Sequence, residues 1–132
     1  MIEVAAAIIE SEGKFLVTRR TKRQHLAGYW EFPGGKRRRG ESWKRCLARE
    51  LREELGIRAR IGERIALVDH QYPDRTVRIA FYCCTLTASK LHAWEGQEIR
   101  WVSRAQLVKL ELPAADVEVV RILMGRSTTN CD

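Results

Sequence analysis

Long apolar runs are absent from the sequence. No stretch approaches the about 20 consecutive apolar residues that a membrane-spanning helix needs. The first residues, MIEVAAAIIESEG, include an acidic residue at Glu3 and lack the basic segment with which secretory signal peptides begin. The sequence therefore does not indicate a membrane or secreted protein, and we expect a cytoplasmic protein with no membrane partner.

Closely spaced cysteine pairs are also lacking. The cysteines are Cys46, Cys83, Cys84 and Cys131, and no two of them have the C-x-x-C spacing typical of zinc sites. A zinc-dependent fold or function is therefore not indicated. Since disulfides are rare in the cytoplasm, we expect all four cysteines to be free thiols.

The composition is that of one globular domain with an excess of positive charge. The chain has 132 residues, of which 45% are hydrophobic and 31% are charged. We predict a single domain over residues 1–125 and a disordered tail over residues 126–132. The net charge of +7 favours anionic partners, namely nucleotides, nucleic acid or an acidic surface, without choosing among them.

Hydrophobic periodicity predicts a sheet with helices on both faces. The segments before and after Gly13 form a β-hairpin, and a short extended piece precedes the glycines at 34 and 35. Helices are predicted from Glu41 to Leu55, after Ser103, and between Pro113 and Gly125. The remaining strands are predicted over residues 58–72, 75–88 and 97–103. This order of elements indicates an α+β fold, with a sheet between helices.

The first predicted helix carries three carboxylates, Glu50, Glu53 and Glu54, beside its apolar stripe. With about 100° between successive residues, all three lie within one arc of the helix surface. Like charges at this spacing repel unless cations accompany them. Two interpretations follow: a solvated helix balanced by neighbouring arginines and lysines, or a site for a hard divalent cation such as Mg²⁺.

The spacing around these carboxylates distinguishes the two interpretations. Gly35 is followed after five residues by Glu41, and after seven more by RELREELGI, Arg49 to Ile57. This pattern resembles the Nudix box, G-x5-E-x7-R-E-U-x-E-E-x-G-U, where U is a bulky aliphatic residue. Every fixed position is matched.

The resemblance implies the Nudix fold, an α/β/α sandwich with a mixed β-sheet between helices. It also implies hydrolysis of a nucleoside diphosphate linked to another moiety, with Mg²⁺ as the cofactor and Mn²⁺ as the alternative. By position, the metal ligands are Glu50, Glu53, Glu54 and the backbone carbonyl of the Gly35 loop. Glu50 or another nearby carboxylate would activate the attacking water. Glu41 supports the site, and Arg49 holds a glutamate in place.

The likeness extends over about residues 2–125. The segments TRR, WEFPGGK, YPDR and EGQE are similar to the branch that contains MutT and CTP pyrophosphohydrolases. Members of that branch cleave nucleoside triphosphates to the monophosphate and pyrophosphate, and several remove oxidised nucleotides. The resemblance implies that Glu95 is a further metal-site carboxylate, with Glu98 as the competing choice. It implies nucleotide contacts for Arg20 and Arg75, and Phe32 and Tyr72 are expected to flank a base.

The base remains open between 8-oxoguanine and cytosine. MutT has an asparagine near the start of its last helix, where this chain has LPAADVE. Asp116 at this place resembles the CTP pyrophosphohydrolases more closely. A carboxylate there is suited to accept hydrogen bonds from the exocyclic amine of cytosine or of guanine. An acidic residue is, however, also favoured in the first turn of any helix.

Two other functions are kept as alternatives. An RNA 5′-end pyrophosphohydrolase fits the net charge and the basic run Lys36–Arg39, although the sequence lacks an added RNA-binding segment and no stable nucleic-acid partner is expected. A non-catalytic nucleotide-binding domain is disfavoured, because pure binding does not require repelling carboxylates. We expect a monomer or a homodimer.

Overall fold

The protein folds as a mixed sheet between helices, which confirms the predicted fold class. The computed structural model describes residues 1–21, 27–88, 90–93 and 96–126. The predicted hairpin is formed by β1 (Ile2–Ser11) and β2 (Lys14–Arg19). Gly13 adopts a positive φ of 76° in the turn between them, a conformation open to glycine at little steric cost.

The remaining elements follow in the predicted order, with one added strand. The strands are β3 (Trp30–Glu31), β4 (Gly34–Lys36), β5 (Arg58–Tyr72), β6 (Arg75–Ala88) and β7 (Ile99–Ser103), and the helices are α1 (Trp43–Leu55), α2 (Arg104–Leu107) and α3 (Ala114–Met124). The main path across the sheet is β3-β2-β1-β6-β5, with β4 paired to β1 and β7 paired to β2. β1 and β6 are parallel, whereas the other pairs are antiparallel.

Strand β1 is buried on both faces and divides the core into two layers. Because successive side chains of a strand alternate, Ala6 and Ile8 face one layer while Ala5, Ala7 and Ile9 face the other. Helix α1 covers the second layer with Cys46, Leu47, Leu51 and Leu55, and α2 and α3 cover the first with residues that include Leu107, Val119 and Leu123. None of the helices in the described part of the chain is long and apolar enough to cross a membrane.

Helix α1 begins two residues later than predicted, at Trp43 rather than Glu41. The hydroxyl of Ser42 accepts a hydrogen bond from the backbone N–H of Arg45, which makes Ser42 the N-cap. Glu41 therefore lies outside the helix, where its side chain is available to other partners. Gly56 ends the helix as predicted, in the left-handed conformation with a φ of 65°.

The prediction of free thiols is wrong for one of the cysteines in the described part of the chain. Cys46 and Cys84 are free and buried, but Cys83 is disulfide-bonded. Adjacent residues of a strand point to opposite faces, so Cys84 enters the layer under α1 while Cys83 faces the other side of β6. Of the predicted tail over residues 126–132, Arg126 is described and its backbone N–H donates to the carbonyl of Leu123 at 3.0 Å, whereas residues 127–132 lie outside the described residues.

Candidate active site

The centre of the site is a buried arginine on α1. The side chain of Arg49 is 10% exposed and forms a two-pronged ion pair with Glu41: Nε lies 2.6 Å from Oε2, and an Nη lies 2.9 Å from Oε1. The other Nη donates to Glu50 at 2.8 Å and to Glu53 at 3.2 Å. Arg49 also donates to the backbone carbonyl of Lys36 at 3.1 Å. One guanidinium thus joins three carboxylates and strand β4.

These contacts fix the charges around the site. The hydrogen bonds from Arg49 lower the pKa of Glu41 to about 2, so Glu41 stays ionised throughout the physiological range. The carboxylates of Glu41 and Glu50 in turn raise the pKa of Arg49, which remains a cation. The sequence-based expectation that Arg49 holds a glutamate corresponds to these observed hydrogen bonds, and Glu41 supports the site through Arg49.

The two glycines before Lys36 allow the backbone to approach its neighbours closely. A Cβ at Gly34 would lie 1.9 Å from the carbonyl oxygen of Ala5 on β1, and a Cβ at Gly35 would lie 2.3 Å from the carboxylate carbon of Glu50. Both distances are shorter than any van der Waals contact, so neither position tolerates a side chain without movement. Gly35 therefore brings the backbone of β4 directly against the carboxylate of Glu50.

A cavity of about 250 Å³ opens at this point. Its lining includes Gly35, Glu50 and Glu54, three of the predicted metal ligands. Glu53 does not line it: its side chain is 48% exposed and pairs with Arg49 and, at 3.8 Å, with Arg38. Glu95, the fifth predicted ligand, lies outside the described residues.

The donors at this cavity suit a hard divalent cation. Carboxylate oxygens and backbone carbonyls are the protein ligands that Mg²⁺ prefers, and the close approach of Gly35 to Glu50 provides both kinds at one place. The carbonyl of Gly35 currently accepts a weak hydrogen bond from the thiol of Cys46, at 3.6 Å. Among the described residues, no three acidic, histidine or cysteine side chains already converge as a finished metal site.

A second cavity, of about 420 Å³, adjoins the first. Four of the predicted nucleotide-binding residues line it: Arg20, Tyr72, Arg75 and Asp116. The fifth, Phe32, lines the smaller cavity, but its ring is 3% exposed and packs edge-on against Phe81 in the core. The structure thus brings together, at one cavity, four residues that are predicted to bind the nucleotide and that are far apart in the sequence.

Asp116 is buried at the end of this larger cavity. Its Oδ2 accepts a hydrogen bond from the backbone N–H of Phe32 at 3.1 Å, which ties α3 to the segment after β3. Burial raises the pKa of Asp116 to about 7, an effect that the hydrogen bond from Phe32 opposes and the charge of Glu31 reinforces. Asp116 thus differs from an ordinary acidic residue of a first helical turn, which is exposed to solvent.

Arg75 contributes an unsatisfied donor. Its Nε is buried and has no hydrogen-bond partner within the described part of the chain. A buried guanidinium N–H without an acceptor is costly, and a ligand that supplies a carbonyl or phosphate oxygen would satisfy it. Arg75 is therefore the residue lining the larger cavity that is left with an unsatisfied buried donor, within the described part of the chain.

Two residues that the sequence analysis did not assign individually, Glu31 and Lys36, line both cavities. Glu31 lies between two large aromatic residues, Trp30 and Phe32, which are both buried, and a single polar residue within such an apolar stretch is the sequence signal that could have identified it. Glu98, the competing choice to Glu95, pairs instead with Arg19 at 3.2 Å and lines a separate cavity. Of the basic run, Arg37 pairs with Glu3 and Arg39 is exposed to solvent.

The chain is similar to a described family and to several known proteins. A family model described as NUDIX domain matches residues 4–121. A CTP pyrophosphohydrolase of Escherichia coli is 39% identical over 125 residues, which cover 95% of this chain and 93% of that protein. An 8-oxo-dGTP diphosphatase of Haemophilus influenzae is 34% identical, over 96% of this chain and 94% of its own length. The crystal structure of a MutT protein from Methanosarcina mazei superposes with a TM-score of 0.85 at 29% identity, covering 96% of each chain.

Proposed function

The chain belongs to the Nudix hydrolase family, and from this we propose that it cleaves nucleoside triphosphates to the monophosphate and pyrophosphate, cleaning the nucleotide pool. The observation that carries the proposal is the pair of adjoining cavities. One contains the carboxylates of Glu50 and Glu54, and the other contains Arg75 and the buried acid Asp116. A nucleotide has the matching arrangement, with a polyphosphate at one end and a hydrogen-bonding base at the other.

The carboxylate end would hold the metal. Nudix hydrolases generally need a divalent metal ion, and we propose Mg²⁺, with Mn²⁺ as a possible substitute, bound by Glu50, Glu53, Glu54 and the carbonyl of Gly35. Glu95 is proposed as a further ligand. When bound, the metal neutralises phosphate charge and lowers the pKa of the attacking water. Because Glu53 now pairs with Arg49 and Arg38, metal binding requires its carboxylate to leave these partners.

The residues of the chain position the reactants. Arg49 holds Glu50 in place, while Glu41 fixes Arg49 from the other side. Glu50 or a neighbouring carboxylate takes the proton of the attacking water. Lys36, which lines both cavities, places a positive charge at the edge of the smaller cavity, where the polyphosphate would bind.

Asp116 is proposed to recognise the base. A protonated carboxyl group presents one donor and one acceptor, which complement N3 and the amino group of cytosine. An ionised carboxylate presents only acceptors, which complement the N–H groups of guanine or 8-oxoguanine. Since the pKa of Asp116 is about 7, both forms are populated near neutral pH. Arg75 would donate to a base or phosphate oxygen through its unpaired Nε.

Identifying the preferred substrate and the released product tests this function directly. The protein is incubated with Mg²⁺ and, separately, with 8-oxo-dGTP, dGTP, CTP, 5-methyl-dCTP and 5′-triphosphorylated RNA, and the released phosphate species is identified. We expect pyrophosphate from at least one nucleotide, and release of orthophosphate alone would contradict the proposal. Glu53→Gln should lower turnover by orders of magnitude with the fold intact, whereas Glu118→Gln, at an exposed glutamate of α3, should not.

The same panel tests the second candidate function. The net charge of +7 and the exposed arginines Arg38 and Arg39 beside the site fit a longer polyanion such as the 5′ end of RNA. Preferential release of pyrophosphate from triphosphorylated RNA would favour that function over cleaning of the nucleotide pool. A cytoplasmic location and a monomeric or homodimeric state remain predictions.

A further inference from the structure

The wall between the two cavities is the place where the sugar of a nucleotide must lie. Both cavities are lined by Val4, Arg20, Glu31 and Lys36, so these residues form their common boundary. If the base occupies the larger cavity and the phosphates occupy the smaller, the sugar that links them lies against this boundary. This inference therefore rests on the proposed function.

Glu31 is the hydrogen-bond acceptor on that boundary. Its side chain is 22% exposed, and its Oε2 forms a short ion pair with an Nη of Arg20. Within the described residues, no donor is hydrogen-bonded to the second oxygen, Oε1. Arg20 and Lys36 carry only donors, so Glu31 is the side chain of the boundary that can accept a hydrogen bond from a hydroxyl group.

We propose that Glu31, held by Arg20, recognises the sugar by accepting hydrogen bonds from its hydroxyl groups, so that the site prefers ribonucleotides to deoxyribonucleotides. A ribose offers two neighbouring hydroxyls to this carboxylate, whereas a deoxyribose offers one. A site that is built to bind a substrate hydroxyl discriminates strongly against an analogue that lacks it, because a desolvated polar group is then left unpaired. Glu31 would therefore determine sugar specificity, while Asp116 determines base specificity.

The experiment compares nucleotides that differ only in the sugar. Values of kcat/KM are measured for CTP and dCTP and for GTP and dGTP. The pair of nucleotides that the wild type hydrolyses faster is then used for the comparison of the two sugars. In Glu31→Gln the carbonyl oxygen keeps the bond to Arg20, while the amide nitrogen replaces the free acceptor with a donor. We expect the wild type to favour the ribonucleotide and Glu31→Gln to lower this preference about tenfold, mainly through a higher KM for the ribonucleotide.

Glu10→Gln is the matched control. Glu10 is 20% exposed, close to the 22% of Glu31, and also forms an ion pair with an arginine, Arg104, but it lines neither of the two cavities. It should keep the wild-type preference for ribonucleotides. Affinities of CMP and dCMP, measured calorimetrically without metal, give the same comparison independently of turnover, and the wild type should bind CMP more tightly.

Two results would overturn the proposal. One is an equal kcat/KM of the wild type for the ribonucleotide and the deoxyribonucleotide, and the other is an equal loss of kcat/KM on both nucleotides in Glu31→Gln. If Glu31→Gln does not fold, as judged by circular dichroism, the CMP and dCMP affinities of the wild type decide, and equal affinities reject the proposal. Failure of the proposed function looks different, since the wild type would then release no pyrophosphate from any nucleotide.

Discussion

Replacing Asp116 by asparagine should change how the stability of the protein depends on pH. Burial raises the pKa of Asp116 from 3.8 to about 7, whereas in the unfolded chain it returns to the lower value. Between these two values the folded state binds a proton that the unfolded state has lost. The free energy of unfolding therefore falls as the pH rises through this window.

The magnitude follows from the difference between the two pKa values. About 3 pKa units at about 1.4 kcal/mol each give about 4 kcal/mol, of which about 2.5 kcal/mol falls between pH 5 and pH 8. Asparagine carries no charge at either pH, and its side-chain oxygen can still accept the hydrogen bond from the N–H of Phe32. The stability of Asp116→Asn relative to the wild type should therefore increase by about 2.5 kcal/mol from pH 5 to pH 8.

Urea unfolding followed by tryptophan fluorescence, at both pH values and for both proteins, measures this change. Asp69→Asn is the control, because hydrogen bonds from Arg78 lower the pKa of Asp69 and keep it ionised at pH 5 and pH 8 alike. Its stability relative to the wild type should be the same at the two pH values. If Asp116→Asn also shows no change between them, Asp116 does not titrate in this range and its proposed dual protonation is refuted.

Three further outcomes are expected. Arg49→Lys should lower turnover at least tenfold and weaken Mg²⁺ binding measured by calorimetry. The reason is that an ammonium group cannot make the two-pronged contact to Glu41 and still reach Glu50. Unchanged metal affinity in this variant would reject the positioning role of Arg49. Gly35→Ala should abolish turnover while the far-ultraviolet circular dichroism spectrum stays native, since the added methyl group displaces the Glu50 carboxylate. Near-normal turnover would show that the close approach of Gly35 to Glu50 is unnecessary. Lowering the pH from 8 to 6 should raise kcat/KM for CTP relative to 8-oxo-dGTP as Asp116 becomes protonated, and a constant ratio would argue against base recognition by Asp116.

The elements that the sequence predicted well are those determined by local patterns. The Ser103 cap, the stop at Gly56 and the apolar stripe of α1 all lie within a few residues of the structures they determine. Strand β4 was not predicted, because glycines are depleted in strands. Gly34 and Gly35 nevertheless pair with β1, since only glycine permits the close approach to Ala5 and Glu50 that the fold requires.

The parts of the site that the sequence left undetermined depend on contacts between distant segments. The helical arc predicted that Glu50, Glu53 and Glu54 lie together, but the contacts of Arg49 and Arg38 decide which of them faces the cavity. Asp116 is buried, and its carboxylate accepts a hydrogen bond from the backbone N–H of Phe32, a residue 84 positions away. Because acidic residues are common at the start of helices, the presence of Asp116 there gave no indication that its pKa is raised.

The thiol of Cys46 has a consequence for tolerance of oxidative stress. Burial, together with the charge of Glu41, raises its pKa to about 11, so at neutral pH almost none of it is the thiolate that peroxides and alkylating reagents attack. If the proposed cleaning of the nucleotide pool extends to oxidised nucleotides, the enzyme is most needed when peroxides are abundant. The thiol beside strand β4 is kept in the unreactive form under those conditions.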